Sequence, residues 1–100
     1  MAGQKHFFLR LNAPRATFMQ DMTKEEKSIM QRHVAYWNPY VEDGTVIVMG
    51  PVNDPAGGFG MAVVVVNSED QLQELIDLDP AKALGQYDIF PMRAVTKRTF

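Results

Sequence analysis

The chain has 100 residues, enough for one domain and too few for two. Its 46% hydrophobic and 22% charged residues indicate a globular domain that can bury a core without covalent staples. It has no cysteine, which excludes disulfides, zinc–thiolate sites and cysteine nucleophiles, and its net charge of −2 argues against a nucleic-acid partner.

The first strand is predicted over Lys5 to Asn12, where Phe7, Leu9 and Leu11 alternate with more polar residues. A connector that contains Pro14 follows, from residue 13 to 22. Thr23 then begins a Thr-x-x-Glu capping box, which predicts the start of a helix whose apolar stripe runs through residues 29, 33, 37 and 41. Because Pro39 interrupts this stripe, the helix is expected either to end near residue 37 or to continue past a kink.

The second half of the chain is predicted to contain strands at residues 45–49 and 60–66, with a turn-rich loop at 50–58 between them. Ser68 opens a second Ser-x-x-Gln capping box for another helix. Asp79-Pro80 predicts a short helical turn up to Gly85, and residues 88–96 are predicted to form the last strand.

This order of elements predicts a single α+β domain over residues 1–100, with the ferredoxin-like βαββαβ arrangement and a four-stranded antiparallel sheet. In this topology both helices cover one face of the sheet. The strand from Met61 to Val66 is nevertheless apolar on both faces, where a solvent-facing sheet would alternate. We therefore expect a homodimer that forms through the open face of the sheet.

The longest apolar run, Met61 to Val66, is too short to span a bilayer. The N-terminal residues do not have the pattern of a signal peptide. A cytoplasmic protein without a membrane partner is the expectation.

Two polar residues fall on apolar stripes and are the main candidates for chemistry. His33 is either a core histidine with one hydrogen-bonded nitrogen or a general acid–base. Asp79 follows Leu72, Leu75 and Ile76 at helical spacing, and it is either an N-cap before Pro80 or a functional carboxylate. Since both helices cover the same face, Asp79 is placed to orient the imidazole of His33.

Other candidates have weaker patterns. Arg15, just before the first helix, is a candidate for binding a substrate carboxylate, although most such arginines are solvated. Trp37 belongs either to the core or to a pocket wall, and Asp54 lies in the long loop, where ligand contacts are common. The glycine-rich segment matches no phosphate-binding motif, and the two histidines lack metal-ligand spacing, so neither a cofactor nor a metal is expected.

Several pieces along the chain together resemble the YCII-related (YciI-like) family. In the N-terminal half they are Pro14-Arg15-Ala-Thr-Phe18, Asp21-Met22-Thr23 and His33-Val-Ala-Tyr36-Trp37. The match continues through Gly50-Pro51-Val52, Asp54-Pro55, Phe59-Gly60, Asp79-Pro80 and Pro91. The resemblance covers nearly the whole chain, and the ordered set is more specific than any single piece.

The resemblance implies a ferredoxin-like fold that pairs into a dimeric α/β barrel, with an active site built on a histidine and an aspartate, here His33 and Asp79. Proteins of this family are similar in fold to muconolactone isomerases, and a related protein is a chloromuconolactone dehalogenase. For most members no reaction is established.

Three functions remain open from the sequence. The first is a cofactor-free isomerase, lyase or dehalogenase that acts on a small anionic or cyclic metabolite, with His33 moving the proton, Asp79 orienting it and Arg15 binding a carboxylate. The second is a non-catalytic domain that binds a small ligand in the same pocket. The third is a dimerisation module in which the histidine–aspartate pair only joins the helices.

Overall fold

The computed structural model describes residues 4–97. Its strands are β1 (Lys5–Leu11), β2 (Val46–Val52), β3 (Phe59–Val66) and β4 (Tyr87–Met92). Its α-helices are α1 (Phe18–Asp21), α2 (Lys24–Glu42) and α3 (Glu69–Asp77), and a 3₁₀ helix spans Pro80–Ala83. Apart from the single turn of α1, this is the predicted βαββαβ order.

The four strands form one antiparallel sheet in the order β2-β3-β1-β4. The first and third strands are therefore central, as the split βαβ connection requires. Burial alternates along β1 and over most of β3, so that one face of the sheet is sealed and the other, which we call the open face, is partly exposed. The α+β fold predicted from the sequence is confirmed.

The core lies between the sealed face of the sheet and helices α2 and α3. Its buried members include Leu9 of β1, Val64 of β3, Trp37 of α2, and Leu72 and Ile76 of α3. Because residues from both helices join one cluster with the sealed face, the two helices cover the same side of the sheet, as predicted.

Helix α2 does not end near residue 37 but continues through Pro39 to Glu42. A proline inside a helix removes one backbone hydrogen bond. The extra turn in return packs Tyr40 against the core, and Asp43 N–H bonds to the carbonyl of Pro39. Tertiary packing thus outweighs the local preference of proline.

Both outer strands differ in length from their predicted spans. Strand β2 continues to Val52 and includes Pro51. Proline has no backbone N–H to donate, but β2 is an edge strand, where such an N–H can face solvent and need not bond to a neighbouring strand. Strand β4 ends at Met92, which pairs with His6 close to the start of β1. The predicted extension to residue 96 would have almost no strand to pair with. None of the helices within residues 4–97 has the length and apolar character that crossing a bilayer requires.

Candidate functional site

Helix α2 carries His33 and Trp37 one turn apart on its inward side, and both are buried. The helix begins at a complete capping box: the Thr23 hydroxyl accepts from Glu26 N–H, and the Glu26 carboxylate accepts from Thr23 N–H. This start fixes the helical register and therefore the direction in which the two side chains point.

Asp79 is the N-cap of the 3₁₀ helix, with Pro80 in the first helical position. Its Oδ1 accepts a hydrogen bond of 2.9 Å from Ala81 N–H. The residue is only 3% exposed, so the cap also places a carboxylate inside the protein. The capping role and the inward position, which the sequence left as alternatives, occur together.

The carboxylate of Asp79 binds side chains from two other elements. Nδ1 of His33 lies 2.9 Å from both carboxylate oxygens, and Trp37 Nε1–H donates to Oδ2 over 2.8 Å. The hydroxyl of Tyr87, from β4, donates to Oδ2 as well. With the Ala81 amide, Asp79 thus has hydrogen-bonding partners on both oxygens, and it joins α2, the 3₁₀ helix and β4.

These contacts determine the charge of Asp79. Burial raises the pKa of its carboxyl group, but the hydrogen bonds from His33, Trp37, Tyr87 and the Ala81 amide outweigh burial and hold the pKa below its ordinary value. Burial and the bond to Asp79 raise the pKa of the Tyr87 phenol, so it keeps its proton and donates. Asp79 is therefore an ionised carboxylate at neutral pH.

An ionised carboxylate only accepts hydrogen bonds, so Nδ1 of His33 must carry a proton. Within residues 4–97 the hydrogen bonds of the ring to other protein groups go through Nδ1, and no buried side-chain nitrogen or oxygen lacks a partner. Nε2 is consequently not sealed in the core. In neutral His33 this nitrogen holds the free lone pair, which is the state that a general base needs.

A cavity of about 270 Å³ lies beside His33. His33, Trp37 and Tyr87 contribute to its wall, together with residues of α1 and of strands β1, β2 and β3. The remaining lining is mainly apolar and includes Phe18, Met30 and Phe59, among others. The histidine thus borders a space that a small molecule can occupy, with its carboxylate partner behind it.

Of the three other predicted site residues, Trp37 lies at the site, whereas Arg15 and Asp54 do not. Trp37 borders the cavity, but its indole N–H is bonded to Asp79. Arg15 does not line the cavity, and its guanidinium binds Asp21 and Glu26. Asp54 lies in a second depression, formed with Ala16, Thr17, Met19 and Gln20, and its carboxylate accepts from Ala56 N–H. The structure brings together His33, Asp79 and Trp37, but not Arg15 or Asp54.

Tyr87 belongs to the site and was not identified from the sequence. It lies one residue before the predicted start of the last strand, so it was not assigned to a face. The alternation of Tyr87 and Ile89, both half-buried, with exposed Asp88 and Phe90 is the signal that places it on the sealed face. Among the described residues, no group of three His, Cys, Asp or Glu side chains is arranged to hold a metal ion.

The fold and site define a small α+β domain with a buried histidine–aspartate pair beside an apolar cavity. The sequence model of the YCII-related domain matches residues 7–96, and the chain belongs to this family. No curated protein matches the chain.

Proposed function

We propose that this domain is an enzyme that moves a proton on a small cyclic metabolite without a cofactor, in an isomerase, lyase or dehalogenase type of reaction. The observation that carries the proposal is the pairing of His33 Nδ1 with the Asp79 carboxylate, 2.9 Å away, while the ring borders a cavity. This geometry leaves Nε2 available to a bound molecule.

His33 is the catalytic residue in this proposal, and Asp79 is a positioning residue. Nε2 takes a proton from a carbon that a neighbouring carbonyl makes acidic. In an isomerisation the proton returns to another carbon; in an elimination the C–H electron pair forms a double bond and expels the leaving group. Asp79 holds the ring in the tautomer with a free Nε2 and stabilises the imidazolium that forms.

The homodimer and its barrel are part of the same proposal. Val48 and Phe90, on the open face, are 52% and 49% exposed in the single chain. A second copy packed sheet to sheet would cover them. Arg15 is not part of the proposed site, because Asp21 and Glu26 already occupy its guanidinium.

Proton exchange tests the proposal once a ligand is found. A panel of cyclic carbonyl metabolites is screened by thermal shift, since a ligand that binds the native state raises its stability. Each ligand found is then incubated with the protein in D₂O, and deuterium in the ligand is measured by mass spectrometry. We expect wild type to catalyse exchange and His33→Gln to reduce its rate by about 10²–10⁴-fold while it still binds the ligand.

His6→Gln is the matched control, because His6 lies on β1 and pairs with Val65 and Met92 in the sheet, away from the cavity. It is expected to leave exchange unchanged. If Asp79 positions His33, Asp79→Asn is expected to change the pH dependence of the exchange rate. Ligands that bind wild type without any exchange would instead support the second function, a non-catalytic ligand-binding domain.

A further inference from the structure

The wall of the cavity beside His33 has an unusual chemical composition. Of the described residues that line it, none is Lys, Arg, Asp or Glu. Methionines from several elements contribute to it, namely Met19, Met22, Met30 and Met49. Methionine is flexible and polarizable, and its sulfur makes favourable contacts with aromatic rings. The wall is thus uncharged, and it can adapt its shape to a ring.

Two arginines contact aromatic residues of the cavity wall, but neither arginine lines the cavity. The Arg15 guanidinium is 5.5 Å from the ring centre of Phe18, and it is occupied by Asp21 and Glu26. The Arg10 guanidinium is 4.0 Å from the ring centre of Phe59 and donates to Asn12. A ligand carboxylate in the cavity would have no fixed positive partner among these arginines, and a carboxylate that leaves water without such a partner is costly.

Most polar side chains of the wall are already bonded to other protein groups. Trp37 and Tyr87 both donate to Asp79. The Asn12 amide accepts from Arg10 through its oxygen and donates through its nitrogen to Asp88 and to the carbonyl of Gln86. Nε2 of His33 is the polar side-chain atom of the wall that these bonds leave open.

From this composition we propose that the cavity selects an uncharged, ring-bearing molecule that presents one proton, from a hydroxyl group or an acidic carbon, to Nε2 of His33. The volume of about 270 Å³ is near the lower end of small-molecule sites and suits a compact ring system. The inference rests on the proposed function only in taking this cavity as the ligand site. It replaces the anionic metabolite considered from the sequence with a neutral one.

The test uses three probes that share a p-methylphenyl ring: p-cresol, which is neutral near neutral pH, the anion p-toluate and the cation p-methylbenzylammonium. Binding to the full chain is followed by NMR of ¹³C-labelled methionine methyl groups. We expect p-cresol to shift the signals of the lining methionines and to bind at least about tenfold tighter than either charged probe. Met92, which does not line the cavity, is the internal reference.

The second part of the test places a positive charge in the cavity wall. Met30→Lys adds an ammonium group from α2, and it is expected to raise the affinity for p-toluate by about tenfold. Val41→Lys is the matched control, because Val41 lies on the same helix, is 42% exposed and does not line the cavity. It is expected to change no affinity.

Equal or tighter binding of p-toluate by wild type would overturn the inference, as would the absence of p-cresol binding. It would also be overturned if Met30→Lys left p-toluate affinity unchanged in a folded variant. These outcomes leave the proton-transfer proposal intact, since that proposal is decided by exchange at His33. If wild type bound p-cresol more tightly than the charged probes but catalysed no proton exchange, only the catalytic proposal would be refuted.

Discussion

At the scale of single residues, Asp79 both belongs to the candidate site and stabilises the folded protein. Its carboxylate is buried and accepts from His33, Trp37, Tyr87 and the Ala81 amide. An ionised group in such a position is stable only because these donors replace water. Any change that removes an acceptor leaves buried donors unsatisfied.

Asp79→Asn is therefore expected to lower the free energy of unfolding by about 2–4 kcal/mol near neutral pH, measured by urea denaturation. The NH₂ group of asparagine cannot accept a hydrogen bond, so at least one donor loses its partner. Asp77→Asn is the matched control: Asp77 is half exposed, and its loss is expected to cost less than about 0.5 kcal/mol.

The pH dependence of this difference has a definite sign. The folded state lowers the pKa of Asp79. The contribution of ionised Asp79 to the free energy of unfolding is therefore fully present above the unfolded-state pKa of about 3.9, and it is lost as the pH falls through the folded-state pKa. The difference in unfolding free energy between wild type and Asp79→Asn should therefore become smaller only below about pH 4. A gap that stays constant to lower pH would contradict the lowered pKa.

At the scale of elements, the start of α2 is the feature that positions His33. The Arg15 hydrogen bond and the Thr23 N–H lower the pKa of Glu26 to about 2, so Glu26 is ionised and serves both the capping box and the guanidinium. Arg15 also binds Asp21 at the end of α1. The charged pairs thus tie α1, one wall of the cavity, to the first turn of α2.

Thr23→Ala removes the side-chain half of the capping box and is expected to lower the free energy of unfolding by about 1 kcal/mol. Urea denaturation measures the loss. Ser28→Ala, at an exposed position inside the same helix, should be neutral or slightly stabilising, because alanine is the better helix former. Equal effects of the two substitutions would show that the cap does not contribute.

Sequence patterns predict some features of the helices and strands and not others. Periodicity and caps predict the element order, and the stripe on α2 places His33 and Trp37 on the buried side. Local rules alone do not decide whether α2 passes Pro39, because packing of Tyr40 against the core is a tertiary contribution. The Ser68 box is also only half formed: Ser68 accepts from Gln71 N–H, but the Gln71 side chain binds Asn67 N–H.

The site was predictable to the extent that it follows helical spacing. His33 and Asp79 are both polar residues on apolar stripes, and the shared layer brings them into contact. Tyr87 comes from an edge strand whose start the sequence pattern places one residue late. The partners of Arg15 depend on how the connector folds back over α2, which no periodicity describes.

At the scale of the whole molecule, the two faces of the sheet differ. The sealed face packs under α2 and α3, whereas the open face presents apolar residues without cover in the single chain. Phe8 and Phe90 lie side by side on it, with ring centres 6.0 Å apart, and Val48 pairs with Val63. Hydrophobic side chains on neighbouring strands thus form a continuous surface, which is typical of an interface.

Because the open face of β3 is central to this surface, Val63→Lys is expected to separate the proposed dimer. A buried ammonium group without a partner costs more than the apolar contact that it replaces. Sedimentation velocity at micromolar concentration should give wild type twice the chain mass of 11.3 kDa, and Val63→Lys the mass of one chain with an unchanged far-UV circular dichroism spectrum. Val41→Lys introduces the same charge on exposed α2 and should remain dimeric. A folded wild type that sediments as a single chain would refute the dimer, and the apolar open face would then need another partner.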